Sequence, residues 1–164
     1  MESDVGREAA IPNPALQPWN AVVGDWTTVG RHPLLPGVEL HGRASFAWLE
    51  GGAFLIMRTE IDEPQVPSGI AIVGSDDVTG EQFMLYYDER RVSRRYAVTW
   101  RHDGWQWSRD APDMSQRFTV TISDDGRSML GQGQMSRDGT SWEGDLELTY
   151  RRISAKHSTR LAAG

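Results

Sequence analysis

Arginines interrupt rows of apolar residues in the middle of the sequence. Two rows of large apolar residues at alternate positions flank a turn at Asp103-Gly104. Tyr96, Val98 and Trp100 precede the turn, and Trp105 and Trp107 follow it. At the ends away from the turn, the first row continues to Arg94 and the second to Arg109. Successive residues of a β-strand point to opposite faces, so both arginines are expected on an apolar, inward face. An unpaired charge in a dry core is costly, so each arginine needs a partner, water or a ligand.

Further polar residues fall in similar rows. Arg58 and Glu60 follow Phe54 at alternate positions, and Gln116 precedes Phe118 by two. One interpretation is internal ion pairing, such as Arg58 with Glu60. The other is a wet or ligand-filled interior, where an acid or an anionic ligand lies between Arg94 and Arg109.

Another possible internal ion pair joins Arg109 to Asp88 or Asp110. For the space between Arg94 and Arg109, the acids considered are Glu60 and Asp88. Two like charges on one inner surface repel, so something of opposite sign is expected there.

No catalytic set follows from spacing alone. Candidates for general acid–base chemistry are the imidazole of His32, the carboxylate of Glu60 and the phenol of Tyr86. His32 can equally be a loop residue at the mouth of the fold. The histidines are not spaced as metal ligands, so no metal site is expected. They are His32, His41, His102 and His157.

Length and composition predict a single domain and exclude several classes. The chain has 164 residues, no cysteine, and a net charge of −6 from 17 basic and 23 acidic residues. An acidic balance argues against nucleic-acid binding, and no apolar run is long enough to span a membrane. We expect a cytoplasmic protein with a disordered leader over residues 1–14, a β-barrel domain over 15–153 and a flexible tail over 154–164.

Ten short segments with alternating apolar residues lie between turn signals, which predicts an all-β fold. Short links favour a single antiparallel up-and-down barrel, with a β-sandwich as the second possibility. A short helix is expected over Ala15–Val23, covering the outer side of the third segment, which is apolar on both faces. The predicted strands are Gly24–Arg31, Glu39–Leu49, Ala53–Ile61, Gly69–Ser75, Gln82–Asp88, Val92–Arg101, Trp105–Arg109, Gln116–Ser123, Met129–Met135 and Trp142–Arg152.

If one set of alternate residues along each strand faces inward, the barrel interior is aromatic and contains arginine. Barrels of more than about eight strands are too wide for side chains alone to fill, so this interior is expected to bind a ligand. The predicted ligand-binding residues are Trp26, Phe46, Trp48, Arg58, Glu60, Arg94, Tyr96, Trp105, Trp107, Arg109 and Phe118.

The segments "VVGDWTTVGRHPLLPG" and "GRASFAWLEGGAFLIMRTE", with the Gly24-Asp25-Trp26 opening, resemble a large bacterial family of lipocalin-like, calycin-type barrels related in shape to nitrobindin. The resemblance covers roughly Leu16 to Arg152 and implies a ten-stranded barrel with its site inside. Nitrobindin holds haem through a histidine near its last strands. Because Trp142–Arg152 has no histidine, no cofactor is expected.

Several functions therefore remain open. The first is a barrel that binds a small apolar or aromatic ligand bearing an anionic or carbonyl group. The second is a cofactor-free enzyme, such as a cyclase, isomerase or hydrolase of a secondary metabolite. A haem-binding, nitrobindin-like protein and a partner-binding module with a filled interior are further alternatives. The expected partner is a small ligand, with no nucleic acid, no membrane and a possible homodimer.

Overall fold

The computed structural model describes residues 11–153, which form ten β-strands and two short 3-10 helices. Every predicted strand is present, and each boundary lies within one residue of the prediction. No helix in the described residues is long and apolar enough to cross a membrane. The strands are β1 (Gly24–Arg31), β2 (Leu40–Leu49), β3 (Phe54–Ile61), β4 (Gly69–Ser75), β5 (Gln82–Asp88), β6 (Ser93–Arg101), β7 (Gly104–Arg109), β8 (Ser115–Ile122), β9 (Ser128–Ser136) and β10 (Glu143–Arg152).

Each strand pairs with its neighbours in sequence, and β1 pairs with β10 to close the sheet. All pairs are antiparallel, so the predicted up-and-down barrel is confirmed and the β-sandwich is excluded. Closure leaves no unpaired sheet edge. The tail predicted over 154–164 and most of the leader predicted over 1–14 lie outside the described residues.

One of the 3-10 helices, Pro14–Ala21, plugs one end of the barrel, here called the closed end. The Trp19 indole N–H donates to Gln82 Oε1 at 2.8 Å, and its ring centroid lies 5.0 Å from that of Trp100 and 4.9 Å from that of Trp105. The predicted N-terminal helix is thus present. Its predicted position over the outer side of β3 is wrong, because its buried tryptophan packs on inward-facing rings instead.

Arg152 ties this helix to the end of β10. Its Nη1 donates to the Val23 carbonyl at 2.8 Å, and its Nη2 donates to the Ala21 carbonyl at 2.7 Å. The guanidinium also lies 4.3 Å from the centroid of the Trp26 ring. One cation therefore satisfies carbonyls that the end of the helix leaves without partners.

Side chains fill the barrel from the closed end to beyond its middle. Trp26 and Leu55 are 0% exposed, and Phe46 is 1% exposed. A Cβ on Gly131 would lie 2.5 Å from the Phe118 ring, so this glycine makes room for that ring. The predicted wide, wet lumen is therefore absent from this part of the barrel. Other inward side chains in this filled region are Val73, Met84, Trp105, Val120, Leu148 and Tyr150.

Candidate functional site

Polar side chains gather at the opposite end of the barrel, here called the open end. They lie on the inward faces of β5 to β8, because each is separated by an even number of positions from a buried residue of its strand, namely Met84, Tyr96, Trp105 or Phe118. All but the buried Tyr96 are partly exposed, in contrast to the core beneath. We name this group the mouth cluster; it comprises Tyr86, Arg94, Tyr96, Trp107, Arg109 and Gln116.

Gln116 is the centre of the mouth cluster. Its Oε1 accepts a hydrogen bond from Arg94 Nη1 at 3.0 Å and another from the Tyr96 hydroxyl at 3.0 Å. Arg109 is its cross-strand partner in the β7–β8 pair. A neutral amide therefore lies between two inward-facing cations.

Neither Arg94 nor Arg109 forms an ion pair with any carboxylate in residues 11–153. The predicted pairings of Arg109 with Asp88 or Asp110 do not form. The expectation that Glu60 or Asp88 lies between the arginines is also wrong. The mouth cluster thus holds two positive charges that the described part of the chain does not neutralise.

The aromatic part of the mouth cluster continues the buried core outward. The Trp107 ring stacks on Phe118 with centroids 5.1 Å apart and an interplanar angle of 14°. It meets the Tyr96 ring edge-on at 4.5 Å. Phe118 and Tyr96 are buried, whereas Trp107 is partly exposed, so Trp107 is the ring available to an aromatic or apolar ligand.

Tyr86 also joins the mouth cluster to a hydrogen-bond network on the rim, which includes Asp88 and Arg90. The Tyr86 hydroxyl donates to Asp88 Oδ2 at 2.9 Å, and Arg90 Nη2 donates to the same oxygen at 2.7 Å. The hydrogen bonds from Arg90 are the main cause that lowers the pKa of Asp88 to about 2, although its side chain is fully buried. Burial, and then the bond to Asp88, raise the pKa of the Tyr86 phenol. Tyr86 therefore stays protonated, with its proton held by Asp88.

A cleft of about 360 Å³ crosses the rim beside this network. Its inner side includes Thr59 and Asp88, and its outer side includes Arg58, Glu60 and Tyr87. We call it the rim cleft.

The rim cleft shows that the predicted interior position of Arg58 and Glu60 is wrong. Both are exposed, whereas Leu55 and Ile61, of the opposite parity on β3, are buried. The register with β2 sets this orientation, since inward Phe46 faces Met57. The predicted ion pair between Arg58 and Glu60 does not form.

His32 is also near the open end, but both of its ring nitrogens are engaged. Nε2 lies 2.9 Å from Asp145 Oδ1, and Nδ1 accepts the Leu34 backbone N–H at 3.1 Å. The sequence pattern does not predict the contact between His32 and Asp145, because it depends on a shift in the β9–β10 register between Gly144 and Glu147. A bulge of this kind redirects side chains and leaves little trace in an alternating sequence pattern.

The described histidines do not fit a haem or a metal site. His41 is exposed beside Glu39 and His102 is exposed in a turn, while both nitrogens of His32 are occupied. No three His, Asp or Glu side chains within 11–153 come together as metal ligands. His157 lies outside the described residues.

The remaining predicted site residues lie at different depths in the barrel, from the buried core to the open end. Trp26, Phe46, Trp105 and Phe118 are between 0% and 6% exposed and belong to the core. Trp48 packs against that core at the closed end of β2. Of the predicted ligand-binding residues, the structure brings together at the mouth Arg94, Tyr96, Trp107 and Arg109.

Comparison with known proteins supports the architecture. No family model and no curated protein matches the chain. Among solved structures, the crystal structure of Rv2717c from M. tuberculosis superposes with a TM-score of 0.62 and 16% sequence identity. The match covers 86% of this chain and 98% of that chain. At this identity the likeness shows a shared barrel fold and nothing about the ligand.

Proposed function

We propose that the protein binds a small apolar or aromatic molecule through a carboxylate or similar anionic group at the mouth cluster. The observation that carries this proposal is the pair Arg94 and Arg109, which both face inward beside Gln116: Arg94 donates to its amide oxygen, and Arg109 is its cross-strand partner. Both charges are partly withdrawn from water and unpaired among the described residues, so an anion there regains favourable electrostatic energy.

The rest of the site suits the apolar part of such a ligand. Trp107 offers a ring supported from below by Phe118, so a ligand ring or chain can pack on a rigid surface. The filled core below means that the ligand lies across the mouth, rather than deep in a lumen. The rim cleft beside Asp88 gives it further room.

Binding is favoured over cofactor-free catalysis by the state of the acid–base candidates. Tyr86 directs its proton to Asp88, and His32 uses both nitrogens in hydrogen bonds. Glu60 lies on the outer face. None of these three groups is free to exchange a proton with a molecule at the mouth cluster.

Tryptophan fluorescence titration of the full chain tests the proposal. Phenylacetate, indole-3-acetate and decanoate are compared with their matched neutral amides. We expect the carboxylates to bind at least roughly tenfold more tightly than the amides, and Arg94→Gln or Arg109→Gln to remove that preference. Arg117→Gln is the control, because Arg117 packs on Trp142 on the outer surface.

Equal affinity for acids and amides would contradict the proposal, as would unchanged carboxylate binding in both mouth variants. Native mass spectrometry of the untreated protein gives an independent measurement. It should detect an acidic small molecule that is lost from the double variant.

A further inference from the structure

The outer wall of the barrel carries apolar side chains on three adjacent strands. Cross-strand neighbours on this wall are Ile56 with Ile72 and Ile72 with Leu85, and Ile70 with Tyr87. Phe54 is 45% exposed and Tyr87 is 42% exposed. We call this surface the outer apolar face; it comprises Phe54, Ile70, Ile72, Phe83, Leu85 and Tyr87, with Ile56, which is only 9% exposed, beneath them.

The outer apolar face differs from the wall on the far side of the barrel. The outward positions of β8 are Arg117, Thr119 and Thr121, which suit water. A contiguous exposed apolar surface that spans three strands is typical of a protein–protein contact. The N-terminal helix does not cover it, because that helix is inserted into the closed end.

The sequence that precedes the described residues is charged, unlike the apolar face. The chain enters at its closed-end border, where Asn13 Nδ2 donates to Ser75 Oγ at 2.9 Å and Pro12 adjoins Gly52. The preceding residues, "MESDVGREAA", contain four charged side chains and a single β-branched one. The tail begins beyond β10, which is separated from β3 by β1 and β2.

We infer that the outer apolar face binds the same face of a second copy of this chain. Both signs of charge border it: Arg58 and Glu60 on β3, Glu89 after β5, and Arg95, whose guanidinium lies 4.4 Å from the Phe83 ring centroid. A two-fold contact places identical patches against each other, so a patch bordered by both signs can complement itself. A strongly acidic or basic partner lacks this match.

The contact also reaches the candidate binding site. Arg58, Ile70 and Tyr87 belong to the rim cleft as well as to the region of the outer apolar face. A second copy on this face therefore forms a wall along the outer side of the rim cleft. The dimer does not depend on the proposed ligand, so the failure of either proposal leaves the other open to test.

Sedimentation velocity of the full chain over a range of concentrations tests this inference. We expect a dimer for the natural sequence and a monomer for Ile72→Glu, with the dimer dissociation constant raised roughly a hundredfold or more. Thr121→Glu, an exposed position on β8, is the matched control and should remain dimeric.

Circular dichroism checks that each variant is folded. If Ile72→Glu does not fold, Phe54→Ser serves instead, because that exposed ring contributes less to the monomer core. A natural chain that stays monomeric throughout overturns the inference. Folded face variants that stay dimeric overturn it as well.

Discussion

The Gln116 Oε1 atom lies 3.0 Å from Arg94 Nη1, at the point where a carboxylate would neutralise the cations of the mouth. The same oxygen also accepts the Tyr96 hydroxyl. A carbonyl oxygen has two lone pairs, so this acceptor has little capacity left for Arg109 on the adjacent strand. The amide orients Arg94 without cancelling its charge, as the proposed binding of an exchangeable anion requires.

Replacing this amide by an acid should close the site. In Gln116→Glu, a carboxylate accepts the bonds from Arg94 and Tyr96 and faces Arg109. We expect the free energy of unfolding to rise by about 1 kcal/mol, since charge-assisted bonds are stronger than neutral ones. Affinity for aromatic carboxylates should fall at least roughly tenfold. Urea unfolding and fluorescence titration measure the two effects.

Gln116→Leu is the matched control for this substitution. It leaves Arg94 and Tyr96 without their acceptor and should lower stability by about 1–3 kcal/mol. A glutamate variant that binds carboxylates as well as the natural protein does would show that the anion is held elsewhere.

Turn chemistry and alternation were sufficient to predict the fold. At Asp103-Gly104 the glycine has φ 157°, and a Cβ there would meet the Val120 carbonyl, so no other residue suits the position. The rows on either side alternate without interruption, and β6 and β7 therefore follow the prediction closely. Period-two signals bounded by turns are the strongest local evidence of a hairpin.

The orientation of β3 does not follow from its local sequence pattern. Its first four residues, Phe54 to Met57, are all apolar, so they carry no period-two signal. Only pairing with β2, which is not visible in a local pattern, determines which face is inward. The alternating pattern alone predicts Arg58 and Glu60 on the inward face, whereas the register with β2 puts both on the outer face.

The depth of the site was equally hidden from the sequence. Parity identifies which side chains face inward but not how much of the interior they fill. Trp19 comes from outside the sheet and packs against Phe46, Trp100 and Trp105. Because of this contact between distant parts of the chain, the interior is a filled core with polar side chains at its open end, where the sequence predicted a deep lumen.

The rim network predicts an acid-sensitive component of stability. In the fold, hydrogen bonds from Arg90 are the chief cause that lowers the pKa of Asp88 from its ordinary value of about 3.9 to about 2. A lowered carboxyl pKa stabilises the fold above the unfolded-state value, and that contribution is lost as pH falls through about 2. We expect about 2 kcal/mol of stability to disappear between about pH 4 and pH 2.

Asp88→Asn should lack this component. The free energy of unfolding, measured in urea from neutral pH down to about pH 2, should fall less steeply for the variant than for the natural protein. Parallel curves for the two proteins would show that other carboxyl groups cause the acid sensitivity.

Arg152 should be the most important cation for the stability of the closed end. Arg152→Met removes the bonds to the Val23 and Ala21 carbonyls and the contact with Trp26, and should cost about 3 kcal/mol. The stability of Arg152→Lys should lie between those of the natural protein and Arg152→Met, because an ammonium does not reproduce the planar, forked donor geometry of the guanidinium. Urea midpoints at an unchanged slope measure these differences, with exposed Arg151→Met as the control. A lysine variant of full stability would contradict this role for the fork geometry.

Gly131 links the packing of the core to the shape of the mouth. Its missing Cβ would lie 2.5 Å from Phe118 Cζ and 3.1 Å from Tyr150 Cε2. Phe118 is buried and stacked under Trp107, so it cannot move away without shifting that ring. We expect Gly131→Ala to lower stability by about 1–3 kcal/mol through overpacking, to change the near-UV dichroism of tryptophan and to weaken ligand binding.

Gly144→Ala separates this packing effect from the general cost of altering a strand glycine. A Cβ at Gly144 meets nothing within 4 Å, so the substitution should be neutral or stabilising by up to about 1 kcal/mol. If both alanine variants change stability equally, the Phe118 ring has room to move and the mouth is not rigidly supported. If only Gly131→Ala alters stability and ligand affinity together, the ring stack transmits strain from the filled core to Trp107.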